Sequence, residues 1–129
     1  MCVDIETRIY RFMKKILVVN NDFDTMTLLQ KWLENKTYKV KYTGNQEEVP
    51  AIMKEFSPGL VIVDVLQKNV VEQLKTNEET CSIPVLLMTG YTLRAKNNNL
   101  PVDDTIEKPF ELPLLEKKIE KLILKNTID

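Results

Sequence analysis

The sequence predicts an α/β protein built on one doubly wound parallel sheet. Short aliphatic runs alternate with amphipathic stretches along the 129 residues, and several of these runs are continuously apolar. Such runs, at residues 16–19, 60–63 and 85–88, are typical of parallel strands covered by helices on both faces. Because this alternation implies right-handed crossovers, we expect five strand–helix units in a three-layer sandwich.

The first two strand–helix units cover the chain up to one Pro-Gly pair, Pro58 and Gly59. After the first strand, residues 25–34 carry apolar side chains at helical spacing. Residues 39–43 alternate apolar and polar side chains, which is typical of an edge strand. Residues 49–56 form the next helical face, and Pro58 and Gly59 are expected to stop that helix.

The last three units contain shorter elements. A short helix is predicted at residues 69–75, and the fourth strand follows Pro84. Its helix is expected to be short, at residues 93–97, before a run of three asparagines. A strand at residues 104–106 precedes the clearest helix, at residues 114–124. One side of that helix is apolar and predicts core packing, and its charged side predicts a solvated face with i,i+4 pairs.

One domain is expected to occupy nearly the whole chain. Its length suits a single core, and no internal repeat or interdomain linker is evident. We assign residues 14–125 to the domain, residues 1–13 to an N-terminal extension and residues 126–129 to a tail. Residues 1–12 precede a Met-Lys-Lys sequence that resembles a natural chain start. They form either an extra amphipathic turn or a mis-assigned start.

Composition excludes several classes of function. A net charge of −1 offers no field for a nucleic-acid backbone, so no nucleic acid is expected as a partner. No apolar run is long enough to span a bilayer, so we expect no membrane partner and a cytoplasmic location. The absence of histidine excludes His-ligated metals and His bases, and leaves oxygen ligands that favour Mg²⁺ or Ca²⁺. Cys2 and Cys81 form no disulfide framework.

Three polar side chains lie at the carboxyl ends of predicted strands. Asp64 closes the run at 60–63, Thr89 closes the run at 85–88, and Lys108 follows the last strand. In open α/β sheets that edge is where ligands bind. A carboxylate with a hydroxyl and an ammonium group nearby can accept a phosphoryl group, so these residues form the candidate site.

Four segments together resemble a known family. They are KILVV at residues 15–19, LVIVD at 60–64, PVLLMTG at 84–90 and EKPF at 107–110. Each is weak alone, but in this order the chain is similar to the receiver domain of two-component response regulators, CheY-like proteins, over about residues 14–125. The resemblance implies a flavodoxin-like (βα)5 fold with strand order 2-1-3-4-5.

The resemblance also implies a mechanism. Asp64 would accept a phosphoryl group from a histidine kinase or a phosphotransfer protein. Lys108 would offset the charge of the phosphoryl oxygens, and Thr89 would donate a hydrogen bond to one of them. Mg²⁺ would bridge Asp64 and the phosphoryl group, with the backbone carbonyl of Leu66 as a further ligand.

The chain departs from the family where the metal should bind. The family's acidic pair after the first strand is replaced by Asn20 and Asn21. A unit charge at ~4 Å contributes about 4 kcal/mol at an effective dielectric near 20, so Mg²⁺ is expected to bind weakly. The metal set expected from the resemblance is Asp64, Asp22, Asn21 and the Leu66 carbonyl. Capping of a helix by Asp22 stays open as the alternative.

Two further departures concern docking and output. The loop after Asp64 lacks the Pro and Gly usual in the family, and Thr105 stands where the family places an aromatic switch residue. Tyr91 could compensate for the missing aromatic. The usual output face of the family is therefore in question.

These observations favour a stand-alone receiver domain that acts in a phosphorelay on a downstream protein. Since little follows the predicted fifth helix, we expect no output domain. We expect no enzymatic activity beyond self-dephosphorylation. One alternative is a pseudo-receiver that binds a partner without being phosphorylated. Another is a small flavodoxin-like ligand-binding domain, which is disfavoured because the chain has three glycines and no G-x-G-x-x-G motif.

Overall fold

A computed structural model describes residues 14–36, 38–90 and 100–128, with side chains up to residue 124. Five parallel strands form one sheet in the order β2-β1-β3-β4-β5, as predicted. The strands are β1 (Lys15–Val19), β2 (Lys39–Thr43), β3 (Leu60–Asp64), β4 (Val85–Gly90) and β5 (Asp104–Lys108). The α-helices in the described ranges are α1 (Phe23–Asn35), α2 (Val49–Phe56), α3 (Asn69–Lys75) and α4 (Leu112–Ile128).

Two buried clusters hold the helices to the sheet, one on each face. Alternate side chains of the central strands point to opposite faces, so a continuously apolar strand supplies both clusters. Leu29 of α1 and Leu115 of α4 pack on one face, and Met53 of α2 and Val70 of α3 pack on the other. The apolar stripe predicted for the last helix is confirmed as core. Its buried members are Leu115, Ile119, Leu122 and Ile123.

The last helix begins earlier than the sequence predicts, whereas α2 ends where the sequence predicts. The last helix begins at Leu112 because a proline at its second position, Pro113, costs no intrahelical hydrogen bond. Helix α2 ends at Phe56, before the Pro-Gly pair, because Ser57 adopts a left-handed conformation with φ of 52°. The Ser57 N–H then bonds to the carbonyl of Met53 at 3.1 Å.

The charged side of α4 is tied to other elements of the fold. Lys118 Nζ lies 3.1 Å from Asp104 Oδ1 on β5, and Lys36 Nζ lies 3.3 Å from Glu116 Oε2. Both pairs are partly exposed, so each contributes at most about 1 kcal/mol to stability. These ion pairs connect the helix to the sheet edge and to the end of α1, and the i,i+4 pairs stay a prediction.

Several sequence expectations fall outside the described residues. They are the extension at 1–13 with Cys2, the short helix at 93–97 and the possible compensating role of Tyr91. Among the helices that are described, none is long and apolar enough to cross a membrane.

Candidate functional site

The register of the sheet brings the three predicted site residues to one edge. Asp64 is opposite Met88 in the β3–β4 pair, so Thr89 is the next residue along β4. In the β4–β5 pair, Thr89 is opposite Glu107 and Gly90 is opposite Lys108. Three neighbouring strands therefore end together, and each supplies one of the residues singled out in the sequence.

Asp64 is buried and fully engaged at its carboxylate. The residue is 4% exposed. Its Oδ1 accepts a hydrogen bond from the Leu66 N–H at 2.9 Å, which caps the 3₁₀ turn Val65–Gln67. Its Oδ2 accepts from Lys108 Nζ at 2.5 Å. The ammonium group offsets the cost of burying a carboxylate, which amounts to several kcal/mol for an unpaired ion.

Lys108 reaches this carboxylate from the end of β5, two strands away from β3. Its side chain is 30% exposed, against 5% for that of Asp64. The peptide bond that follows, Lys108–Pro109, is cis. A charged group that is one-third exposed stays open to solvent, so the pair combines a buried acceptor with an accessible donor.

The turn after β1 is organised by the side chain of Asn20. This residue is 1% exposed, and its Oδ1 accepts a hydrogen bond from the Asp22 N–H at 2.6 Å. Its own N–H donates to the carbonyl of Thr43 at 2.9 Å. Its Nδ2 is enclosed and has no partner in the part of the chain that is described. An unsatisfied buried donor costs about 1–3 kcal/mol, so this atom is an exception that requires a reason.

The Asp22 carboxylate lies at the surface and is engaged locally. The Thr25 hydroxyl donates to its Oδ2 at 2.5 Å. This hydrogen bond lowers the pKa of Asp22, and the positive charge of Lys108 acts in the same direction. Asp22 occupies the N-cap position of α1, where Asp is a preferred residue. The residue therefore stands at the position of the capping alternative, but its side chain makes no capping hydrogen bond to a backbone N–H.

Close approach of a second loop supports this turn. A Cβ placed on Gly44, which follows β2, would lie 3.1 Å from the Cβ of Asn21. Gly44 therefore lets the β2 loop pack against the turn. Its carbonyl accepts a hydrogen bond from Gln67 Nε2 at 3.3 Å, which links it to the loop after Asp64. No sequence pattern indicates these contacts, because they join segments far apart in the chain.

These residues fit a resident Mg²⁺ poorly. Magnesium prefers oxygen ligands in octahedral arrangement, usually with one or two carboxylates. Here Asp64 is paired with Lys108, Asp22 is bonded to Thr25, and Asn20 presents an N–H donor that a cation would repel. Nowhere in the described ranges do three acidic or cysteine side chains gather as a metal cluster. The predicted set of Asp64, Asp22, Asn21 and the Leu66 carbonyl stays a prediction.

Thr105, on β5, lies near Thr89 of β4. Its side chain is exposed, and it borders a groove of about 350 Å³ together with Thr89, Phe110 and Leu114. An aromatic side chain at position 105 would occupy part of this space. The small residue found there therefore leaves an open groove next to Thr89.

A sheet of this order, with a buried aspartate and a lysine at its carboxyl edge, defines the receiver class, and comparison with known proteins agrees. The model of the response regulator receiver domain matches residues 16–120. The chain therefore belongs to the response regulator receiver domain family. This match argues against the alternative of a small flavodoxin-like ligand-binding domain.

Curated relatives are longer proteins. The chain is 29% identical over 119 residues to the transcriptional regulatory protein CpxR of Klebsiella pneumoniae, covering 88% of this chain and 51% of that protein. It is 29% identical over 118 residues to the probable transcriptional regulator ycf27 of Cyanophora paradoxa, covering 85% of this chain and 48% of that protein. The chain thus spans about half the length of these relatives.

Solved structures of receiver domains share the fold. One is the signal receiver domain of a signal transduction histidine kinase from Syntrophus aciditrophicus, with a TM-score of 0.79 and 24% identity, covering 86% of this chain and 90% of that one. Another is the receiver domain of a sensor histidine kinase from Pseudomonas aeruginosa, with a magnesium ion coordinated in its active site cleft. Its TM-score is 0.77 at 16% identity, over 86% of this chain and 98% of that one.

Proposed function

We propose that this receiver domain accepts a phosphoryl group on Asp64 as part of a phosphorelay. It then either passes the group on or binds a downstream protein in its phosphorylated state. The observation that carries the proposal is the buried Asp64 carboxylate with Lys108 Nζ at 2.5 Å from its Oδ2. A carboxylate is a competent covalent acceptor, and phosphoryl transfer depends on positioning and charge neutralisation. Both are features of this pair.

The transfer itself follows from the groups at the edge. An oxygen of Asp64 attacks phosphorus and forms an O–P bond. The P–N bond of a phosphohistidine that is protonated at its other ring nitrogen breaks, and neutral imidazole leaves with the electron pair. Lys108 moves from the free carboxylate to the phosphoryl oxygens, whose charge it offsets. Thr89 follows Met88, the residue opposite Asp64 on β4. The Thr89 hydroxyl is the proposed hydrogen-bond donor to a phosphoryl oxygen.

The partners follow from this chemistry. A histidine kinase or a phosphotransfer protein supplies the phosphoryl group, and a downstream protein responds to it. We propose no enzymatic activity beyond self-dephosphorylation, no contact with nucleic acid or membrane by this domain, and a cytoplasmic location. Stand-alone action stays a prediction, because the chain matches only about half of its curated relatives.

A magnesium ion belongs to the proposal only as weak help. The relative from Pseudomonas aeruginosa holds Mg²⁺ in its cleft, and in such a site the ion supplies charge neutralisation. In this chain the acidic pair is replaced by amides, and the remaining Asp22 carboxylate is bonded to Thr25. No step of the proposed transfer is therefore assigned to the ion.

A second candidate is a pseudo-receiver that binds its partner without phosphorylation. The amides at Asn20 and Asn21 favour it, because they remove two negative charges from the edge. The Lys108–Asp64 contact would then serve only to stabilise the carboxyl edge of the sheet. The two candidates differ in one measurable property, covalent modification of Asp64.

Incubation with acetyl phosphate and Mg²⁺ followed by intact-mass measurement distinguishes them. The phosphoacceptor proposal predicts one phosphoryl adduct in the native protein and none in Asp64→Asn. Asp104→Asn is the matched control, because Asp104 is also a strand carboxylate paired with a lysine, Lys118, at 3.1 Å. It should be modified like the native protein. Absence of an adduct in the native protein supports the pseudo-receiver.

A further inference from the structure

The buried amide of Asn20 lies at this edge and has no part in the proposed transfer. The residue is 1% exposed and its Nδ2 has no hydrogen-bond partner among the described residues. Buried polar groups in folded proteins are normally satisfied, so an enclosed donor without a protein acceptor is available to an acceptor that a water, a ligand or a modification brings.

Chemistry fixes which way this amide points. The Asp22 N–H can only donate, so the atom of Asn20 that lies 2.6 Å from it must be the oxygen Oδ1. The same turn fixes the backbone of Asn20 through its N–H bond to Thr43 at 2.9 Å. The Nδ2 donor therefore cannot exchange places with Oδ1 without leaving the Asp22 N–H unpaired.

The register places Asn20 beside Asp64. Val19 is opposite Val63 in the parallel β1–β3 pair, Asn20 directly follows β1, and Asp64 is the last residue of β3. On its other side Asp64 meets Lys108, and the Leu66 N–H meets its Oδ1 at 2.9 Å. The groups gathered around this carboxylate are thus hydrogen-bond donors, which suits an oxyanion better than a cation.

We propose that Asn20 Nδ2 donates a hydrogen bond to an oxygen of the phosphoryl group on Asp64, so that the acyl phosphate forms with little dependence on a divalent cation. The inference rests on the proposed function, since it requires that Asp64 be modified. In this proposal the Asn20 amide contributes directly to binding of the phosphoryl group. Its neutral charge alone would imply only a loss of metal affinity. Asn20 is then a specificity-determining residue for phosphoryl oxygens.

The step is balanced with acetyl phosphate as the donor. An oxygen of the Asp64 carboxylate attacks phosphorus and forms an O–P bond. The bond between phosphorus and the acetyl oxygen breaks, and acetate leaves with the electron pair. No proton is transferred, and the total charge of the reactants, one carboxylate and one dianion, equals that of the products.

The test measures the rate of adduct formation by intact mass, in EDTA and in Mg²⁺. The native protein should form the adduct in EDTA at a rate within a few-fold of that in Mg²⁺. Asn20→Ala should lower the rate in EDTA by roughly tenfold to a hundredfold, the range expected for a hydrogen bond to a charged group. Gln67→Ala is the matched control, because Gln67 carries a partnered, less buried amide at the same edge, and its rate should not change.

A second variant keeps the shape of the side chain. Asn20→Asp removes the donor and adds a carboxylate, so its rate in EDTA should also fall and should be restored by Mg²⁺. Binding of Mn²⁺, followed by electron paramagnetic resonance of the free ion, provides a readout independent of the reaction. Affinity should rise at least tenfold in Asn20→Asp relative to the native protein. Thermal unfolding followed by circular dichroism identifies which of the two Asn20 variants are folded. One folded variant is enough for the test.

Each outcome decides the matter. An adduct that forms only with Mg²⁺, or at an unchanged rate in folded Asn20 variants in EDTA, overturns this inference and leaves the proposed function intact. Absence of any Asp64 adduct with or without Mg²⁺ overturns both. Formation in EDTA that is lost in the Asn20 variants and kept in Gln67→Ala supports both.

Discussion

Lys108 Nζ lies 2.5 Å from Asp64 Oδ2 although the two residues are 44 positions apart in the chain and two strands apart in the sheet. The contact closes the carboxyl edge of the sheet across β4. The carboxylate is buried and the lysine is partly open to solvent. This pair is therefore at once a structural link between β3 and β5 and the candidate reactive centre.

Removal of the lysine should destabilise the fold. Lys108→Met leaves the Asp64 carboxylate buried without its cation, and the expected loss is about 1–3 kcal/mol in the free energy of unfolding at pH 7. Urea denaturation measures it. The double variant with Asp64→Asn should recover part of that loss, because no buried charge remains.

Lys118→Met is the control for that comparison. Lys118 pairs with Asp104, and both side chains are about a quarter to a third exposed, at 24% and 31%. Its loss should cost less than about 1 kcal/mol. Equal effects at positions 108 and 118 would contradict the account of Asp64 as the buried partner.

Acid stability should depend on the Asp22–Thr25 hydrogen bond. The bond lowers the pKa of Asp22 from its ordinary value of 3.8 in the folded state. A lowered pKa contributes stability above the unfolded value, and that contribution is lost as the pH falls through the folded value. Thr25→Val should therefore be less stable than the native protein at pH 6, and this difference should shrink at pH 2.

Urea midpoints at the two pH values measure the effect. Thr27→Val, in the same helix, controls for the lower helix propensity of valine. A Thr25→Val deficit that stays the same at pH 2, after subtraction of the Thr27→Val effect, would be inconsistent with the role of Asp22.

Lys75 should be a strong contributor to the stability of the loop before β4. Its Nζ donates to the carbonyl of Ile83 at 3.0 Å and to Asp103 Oδ2 at 2.8 Å. Asp103 Oδ2 also accepts from the Val85 N–H at 2.7 Å. Lys75→Met should lower the free energy of unfolding by about 1–3 kcal/mol, because a carbonyl and a carboxylate lose a partly buried donor.

Lys54→Met is the matched control, since Lys54 is exposed on α2. A change within about 0.5 kcal/mol is expected there. A similarly small change for Lys75→Met would mean that water replaces the ammonium without cost.

Tyr42 offers a substitution that should not harm the fold. Its hydroxyl is enclosed without a partner among the described residues, and burial raises its pKa, with the charge of Glu34 adding to the shift. Tyr42→Phe removes an unsatisfied polar group and keeps the ring. Thermal unfolding should show equal or higher stability, by up to about 1 kcal/mol. A clear loss of stability would reveal a hydrogen bond made by this hydroxyl.

The sequence predicted the sheet well because its signals are local. The apolar runs ending at Asp64 and Thr89 give both the strand positions and the edge where polar residues gather, since a parallel sheet brings all carboxyl ends together. The gathering of Asp64, Thr89 and Lys108 at one edge followed from the same topology. Strand order 2-1-3-4-5 came from the family resemblance, since strand periodicity alone does not specify the order.

The finer parts of the site could not be predicted in this way. The orientation of the Asn20 amide depends on the Asp22 N–H, and the approach of Gly44 to Asn21 depends on packing between distant loops. The surface position of Asp22 depends on its hydrogen bond with Thr25. Residue type indicates which atoms are available, but tertiary contacts decide which of them face the site.

The central claim, that Asp64 is the phosphoacceptor, is tested most directly by chemical trapping of the modified residue. After incubation with acetyl phosphate, borohydride reduces an aspartyl phosphate to homoserine, and peptide sequencing by mass spectrometry locates it. The account predicts homoserine at position 64, and none there in unphosphorylated protein. Homoserine at another acidic residue, or a phosphoryl adduct that borohydride leaves intact on a hydroxyl side chain, would contradict the account.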